Sequence, residues 1–221
     1  MQSKEPKKSQ RLNRYRLMTY NIIASGSSGN ATIINDNILI DCGVPFKKLE
    51  GQHQKIQLIL LTHIHGDHFN KSTIKKIAIE RPTIRFGCCE WLVNNLLDLC
   101  INKANIDVYT PNNKYNYRHF EIIPFFVKHN VKNCGYKLHF NNYKIFYATD
   151  CNNLDNIQAK NYDLYMVEAN YTEKGIKERI AEKKLNNQYI HEYGSLKNHL
   201  SKEKADDFIY QNIGANSLQQ I

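Results

Sequence analysis

The sequence predicts an α/β domain in which sheets are layered under helices. In both halves of the chain, short apolar runs rich in β-branched and aromatic residues alternate with segments of helical spacing. The 221 residues suffice for one sizeable domain, and 42% hydrophobic against 23% charged residues allows a packed core. No repeat of fixed short period and no low-complexity linker divides the chain.

Taken in order, RLMTYNIIA (residues 16–24) reads as a strand and SGSSGN (25–30) as a turn. ATIIN (31–35) and NILID (37–41) flank Asp36–Asn37 as a hairpin. KIQLILLT (55–62) is a continuous apolar run of strand length. KSTIKKIAIE (71–80) has helical spacing, with Asn70 or Ser72 as its cap and Pro82 as its stop. TIRFGC (83–88) and IDVYT (106–110) are strand-like around a helical EWLVNNLLDLC (90–100), and PNN (111–113) closes the half.

The second half continues with four strands, HFEIIPFFVKH (119–129), YKLHF (136–140), YKIFYATD (143–150) and YDLYMVEAN (162–170). Asn141–Asn142 is the turn expected between two of them. From residue 172 onward the chain is richer in helix formers, ending in SKEKADDFIYQN (201–212), a helix capped by Ser201.

The net charge is +9, from 30 basic and 21 acidic residues, which favours an anionic partner. Six of the basic residues, Lys4, Lys7, Lys8, Arg11, Arg14 and Arg16, fall within the first 16 positions. Residues 1–16 are therefore expected to be a flexible basic tail, either solvated or an arm for nucleic acid, ahead of one domain at 17–221. No run approaches the ~18 apolar residues that cross a bilayer, and the N-terminus lacks the apolar core of a secretory signal. A cytoplasmic protein without a membrane partner is expected. Heavy use of Asn, Ile, Lys and Tyr suits an AT-rich genome, that of a low-GC bacterium or its phage, which would place the protein in the host cytoplasm. The six cysteines contain no CxxC pair and are expected to be small buried hydrophobes.

Chemistry concentrates in LTHIHGDHF (61–69). Three histidines and an aspartate within six positions follow a buried-type strand, on the loop where α/β sheets place their sites. On an extended segment His63 and His65 point the same way and reach one metal, while Asp67 and His68 reach a second. Imidazole with carboxylate suits zinc, with manganese and iron as alternatives. Two metals need more ligands than one loop offers. His129, Asp150 and His199 each stand at an element boundary that can aim them into the same place.

This set resembles the metallo-β-lactamase fold family: HIHGDH, then His129, then Asp150 closing ATD, then His199. It is most similar to the YycJ/WalJ-type branch, on SGSSGN (25–30), LIDCG (39–43), EANY (168–171) and HLS (199–201). The resemblance covers roughly residues 18–210 and implies a four-layer αββα sandwich with a dinuclear metal site at one edge. It implies His63, His65 and His129 on the first metal, Asp67, His68 and His199 on the second, and Asp150 bridging both. Asp41 would support the site through hydrogen bonds instead of ligating. Asn130 stands where this branch has aspartate. His191 is the rival for the last ligand, and His199 is preferred because HLSKEKA matches the family's helix start.

Two cations sharing a water would lower its pKa and present hydroxide to an electrophile, with Asp67 accepting the proton. The charge and the SGSSGN loop favour phosphodiesters, with Ser27, Ser28 and Asn30 as weak candidates for substrate binding. NVKNCG (130–135) also lacks the turn of glyoxalase-like thioesterases. The expected function is a nuclease acting on DNA or RNA, with a compact exonuclease favoured by the short interval between Asp150 and His199. The alternatives are a cyclic-nucleotide phosphodiesterase of the kind phage encode and, from another class, a thioester or lactone hydrolase. The sequence leaves the oligomeric state open, a homodimer included.

Overall fold

The structure is a computed structural model that describes residues 18–214 and the backbone of 218–220. The tail assigned to residues 1–16 lies outside the described residues.

The first sheet is built from β1 (Tyr20–Ala24), β2 (Ala31–Ile34), β3 (Ile38–Ile40), β4 (Leu58–Leu61), β5 (Arg85–Cys89) and β6 (Ile106–Tyr109), in that order. β1 to β3 pair antiparallel, and β3 to β6 pair parallel. The second sheet runs from β7 (Tyr115–Tyr117) through β8 (Phe120–Val127), β9 (Asn133–Phe140), β10 (Lys144–Ala148) and β11 (Leu164–Val167) to β12 (Leu218–Gln220). β7 to β10 pair antiparallel, and β10 to β12 pair parallel. The helices are α1 (Lys71–Glu80), α2 (Val93–Asp98), α3 (Glu173–Leu185), α4 (Glu192–Asn198) and α5 (Lys202–Asn212).

Three separate apolar cores define four layers. Ile59 and Leu61 pack with Ile74, Ile77, Leu92 and Leu96, between the first sheet and its helices. Leu58 and Leu60, on the opposite face of the same strand, pack with Ile122, Tyr136, Leu138, Ile145 and Leu164 between the sheets. Phe146 and Val167 pack with Ala205, Phe208 and Ile209 of α5 on the outside of the second sheet. The αββα sandwich is therefore present. The uninterrupted apolar run of β4 follows from burial on both faces, because successive strand residues alternate between two cores.

Local signals end the helices where the sequence indicates. The Asn70 side chain accepts from the Thr73 N–H at the start of α1, and Ser201 accepts from the Lys204 N–H at the start of α5. β7 was invisible in sequence because YNY carries no apolar alternation and is a strand only by pairing with β8. That pairing covers β8 only from Phe120 to Ile122. Pro124 thus lies where one side of its strand has no ladder to break. β9 begins at Asn133, earlier than YKLHF, because its first residues pair with Phe126 and Val127.

Strand direction gathers the loops that matter. β3 and β4 are parallel, so Asp41 and the residues from Thr62 onward leave the first sheet at one edge. β8 and β10 are both antiparallel to β9, hence parallel to each other and to β11. His129, Asp150 and Glu168 accordingly leave the second sheet together. Cys42 donates its N–H to the His68 carbonyl at 2.9 Å and accepts from the Asn70 N–H at 2.8 Å. A Cβ at Gly43 would lie 1.6 Å from the Asp67 carbonyl oxygen, so only glycine lets the two loops approach. Gly43→Ala is expected to lower the unfolding free energy by about 3 kcal/mol or to prevent folding. A denaturation midpoint equal to that of the native chain would contradict this close approach.

Candidate metal centre

His63, His65, His129 and Asp150 each offer one donor atom, all lying within 4.8 Å of one another. His65 Nδ1 is 3.2 Å from His63 Nε2 and 3.3 Å from His129 Nε2. Asp150 Oδ2 stands 3.3 Å from His63 Nε2 and 3.2 Å from His68 Nε2. A second group joins Asp67 and His68 to the same Asp150, and a third joins Asp150 to Glu168 and His199. Asp150 is common to all three groups.

The far side of each buried imidazole is held by an acceptor, and this fixes the ring chemistry. Thr62 Oγ1 donates to Asp41 Oδ1 at 2.9 Å, so it can only accept from His63 Nδ1 at 3.0 Å. His63 then carries its proton on Nδ1 and turns the Nε2 lone pair to the site. His68 Nδ1 donates to Asp41 Oδ2 at 2.7 Å, and His129 Nδ1 to the Asn198 carbonyl at 3.0 Å. His199 Nδ1 donates to Glu168 Oε1. Lone pairs that converge with their protons facing outward repel one another unless a cation sits among them, and nitrogen with carboxylate oxygen is a donor set for zinc-like ions. The residues present fit such a centre.

Without a cation, protons take its place and the titrating groups pair with one another. Burial alone would lower the pKa of His68, but Asp41 and Asp150 more than offset it and raise it to about 10. Burial would raise the Asp150 carboxyl, yet hydrogen bonds from His63 and His68 outweigh it and hold the group well below the usual carboxylate range. Burial depresses His129 to about 4, against the pull of the Asn198 carbonyl and Asp150. Burial and the neighbouring His63 lower His65. The hydrogen bond to Glu168 raises His199, while burial raises Glu168.

All seven residues named as metal ligands from the sequence meet at this edge. Asp41 is fully buried and touches His68 and Thr62, with Tyr147 donating its hydroxyl to Asp41 Oδ2 at 3.3 Å. His199 approaches Asp150 at 3.8 Å, whereas His191 lies at the cavity rim beside Lys183 and Glu192. His199 groups with Asp150 and Glu168 more tightly than with Asp67 and His68. Of the SGSSGN residues, Ser27 lines the cavity and Ser28 does not. Asn30 is buried and its amide is spent inside the protein, bonding both ways with Gly26, touching the Asp67 carbonyl, and lying 2.8 Å from His68 Nε2. Glu168 was quoted only as the first residue of EANY, and it, Thr62 and the Asn198 carbonyl had no role in the site expected from the sequence. Only Glu168 left a signal, as a carboxylate closing the apolar strand LYMV.

Above these residues opens a cavity of about 730 Å³. Its floor includes Tyr147, Met166 and Ala148, and its rim includes Ser27, Asn130, His191 and Ser195. Among the described residues that line it there is no lysine or arginine. Asp41→Ala would leave the Thr62 N–H, the Thr62 hydroxyl and His68 Nδ1 without their acceptor. Chelator-treated protein with this change is expected to lose about 3 kcal/mol of stability, measured by denaturant unfolding. A loss below about 0.5 kcal/mol would mean that Asp41 does not organise the site.

Residues 36–182 match the family described as Beta-lactamase superfamily domain. No curated protein sequence matches the chain. Among solved structures, the metallo-β-lactamase fold protein YhfI from Bacillus subtilis is similar with a TM-score of 0.66 at 16% identity, over 87% of this chain and 80% of that one. Human tRNase Z, short form, gives 0.63 at 15% identity, over 87% and 88%. Zinc-bound PqqB from Methylobacterium extorquens gives 0.60 at 11% identity, over 85% and 74%. At such identities these likenesses speak for the fold alone. The profile match spans most of the chain and includes the HIHGDH, His129 and Asp150 positions: the chain belongs to the beta-lactamase superfamily, in its metallo-β-lactamase fold.

Proposed function

We propose that this protein is a dinuclear metal-dependent phosphodiesterase, acting on DNA or RNA as a nuclease. One observation carries the reading: seven histidine and aspartate side chains, six from loops of the two sheets and His199 from the end of α4, converge on one edge, with Asp150 shared by every group. His63, His65, His129 and Asp150 would hold one cation, and Asp67, His68, Asp150 and His199 the other. The donor set suits zinc, as in the zinc-bound PqqB neighbour, with manganese or iron as alternatives. When bound, the two cations supply Lewis acidity to the phosphoryl oxygens and lower the proton affinity of water.

The chain's own residues do the rest. Asp67 has a side chain 30% exposed and lines the cavity, so Oδ2 can take the proton of the attacking water. Its carbonyl oxygen is pinned by the Asn30 N–H at 2.6 Å, which fixes where the carboxylate stands. The side chains of Tyr147 and Met166 also line the cavity. Beyond the rim, Tyr189 is 87% and Tyr193 51% exposed, flanking the cavity-lining His191. As exposed aromatic side chains they would stack on bases of a single strand. The net charge of +9 and the YycJ/WalJ-type motifs support a nucleic acid as substrate, and a cytoplasmic location goes with it.

A second reading, a cyclic-nucleotide phosphodiesterase, is favoured by the absence of lysine and arginine among the described lining residues. Such a cavity grips one phosphate at the metals and no further ones. Thioester or lactone hydrolysis is the third outcome of the same assay.

Protein purified without chelator is expected to carry close to two transition-metal ions per chain by elemental analysis. Trace metal with no uptake on titration would sink the reading. Asp67→Asn should lower turnover by at least about 100-fold. A loss under tenfold would mean that Asp67 neither ligates nor takes a proton.

The substrate class is tested with single-stranded DNA, duplex DNA, RNA, cyclic nucleotides and a thioester, in zinc or manganese, from low to moderate salt. A nuclease should lose polymer affinity steeply as salt rises. Deleting residues 1–16 or changing Tyr189 and Tyr193 to alanine should weaken the polymer by about tenfold, while a small chromogenic phosphodiester is cleaved as before. Salt-insensitive activity confined to cyclic nucleotides would select the second reading.

A further inference from the structure

The cavity above the metal centre is lined by both sheets. On the first sheet Ile22 of β1 stands opposite Thr32 of β2, and on the second Tyr147 of β10 stands opposite Met166 of β11. All four line the same cavity as His65, Asp67 and Asp150. Ile34, two residues along β2 from Thr32, packs between the sheets with Tyr147 and Met166, whereas the intervening Ile33 packs under the helices. Strand alternation therefore turns Thr32, and its partner Ile22, toward the second sheet. The cavity continues from the metal edge into a recess between the sheets. Tyr147 joins the two, since its hydroxyl donates to Asp41 Oδ2 at 3.3 Å and Asp150 lies just beyond the end of its strand.

Thr32 is the unusual member of this set. It is 5% exposed, and its hydroxyl makes no hydrogen bond among the described residues. A hydroxyl withdrawn from bulk water without a partner costs free energy until a bound group meets it. None of the four side chains is charged, which suits the neutral part of a substrate whose phosphate is held at the cations.

We infer that this recess takes the nucleobase beside the scissile phosphate, its faces against Ile22, Tyr147 and Met166 and its polar edge on Thr32 Oγ1. An alkyl chain would fill the same space but leave the hydroxyl unpaired, whereas every base carries hydrogen-bonding groups on its edge. The inference rests on the phosphodiesterase reading above and adds the state of the substrate. A base enters between two sheets only when it is unpaired and out of its stack.

The test uses the zinc-loaded full chain on dinucleotides with a single phosphodiester, either complete or lacking one base or the other, and on single-stranded and duplex oligonucleotides. Removing one particular base should lower kcat/KM by about 10–100-fold, and the single strand should be preferred to the duplex by at least about tenfold. Ile22→Trp fills the recess and should shrink the effect of that base to under about threefold. Thr32→Val keeps the shape and removes the hydroxyl, so KM for the complete dinucleotide should rise about 3–10-fold. The chelated Thr32→Val protein should unfold no earlier than the native one, because no internal hydrogen bond is lost.

Equal cleavage of all the dinucleotides, equal cleavage of single strand and duplex, or a base effect that survives Ile22→Trp would each overturn the inference. So would a lower denaturation midpoint for Thr32→Val, which would mean that its hydroxyl is bonded within the protein. If Ile22→Trp does not fold, the native comparison and Thr32→Val decide. Should cyclic nucleotides alone be cleaved, the comparison uses ribose cyclic phosphate without its base, and equal turnover would sink this inference while the phosphodiesterase reading stands. A native chain that cleaves no phosphodiester, in zinc or manganese, would sink both.

Discussion

The carboxylate of Asp41 is fully buried, and the geometry of the site edge is organised around satisfying it. A buried carboxylate left unpaired costs several kcal/mol, so the hydrogen bonds it accepts are constraints on the fold as much as gains in stability. Asp41 Oδ1 takes the Thr62 N–H at 3.0 Å and shares the Thr62 hydroxyl, while Oδ2 takes His68 Nδ1. Through Thr62 the constraint passes to His63. A single side chain at the end of β3 therefore orients two imidazoles on the loop after β4 and sets the tautomer of each. Asp41 itself stands at φ 58, a backbone conformation that aspartate tolerates better than most residues.

The second sheet completes what the first begins. Its strands β8, β10 and β11 deliver His129, Asp150 and Glu168 to the same edge, because each runs in the same direction toward it. The two sheets are locked together by the middle core, in which Leu58, Leu60, Tyr136 and Leu138 are buried. Tyr136 adds a direct link by donating its hydroxyl to the Leu61 carbonyl at 2.5 Å, just before the histidine loop. Packing between the sheets thus fixes the distance between groups of ligands that share no secondary-structure element. Asp150, also in the left-handed region at φ 50, reaches both.

The segment between Asp150 and His199 gives the site its individual character. α3 buries only Ile176, and α4 buries only Glu192, whose carboxylate meets Lys183 of α3 at 2.7 Å. The Asn152 side chain donates to the Leu196 and Lys197 carbonyls, which holds α4 against the turn after Asp150. This polar excursion supplies the cavity rim, the Asn198 carbonyl that orients His129, and the exposed tyrosines beyond. Among the described residues, the cavity walls carry no lysine or arginine.

Much of the layout was legible in the chain itself. Short apolar runs marked β1 to β6 and β8 to β11, the caps at Asn70 and Ser201 marked α1 and α5, and HIHGDH after an apolar strand marked the site. These signals act over a few residues, which is why a sequence carries them. The sequence also pointed to His129, Asp150 and His199 one by one, as residues at element ends. Only the tertiary structure brought them together, since their meeting depends on strand direction and on the packing of two sheets. It alone made a strand of YNY, whose pairing partner is not a matter of its own residues. It tied the Asn30 side chain, which also lines the cavity, to Gly26 and the Asp67 carbonyl, partners that no local pattern announces. It also gave Glu168 its partners, because His199 and Cys151 reach that carboxylate only after β10, β11 and the start of α5 have packed against one another.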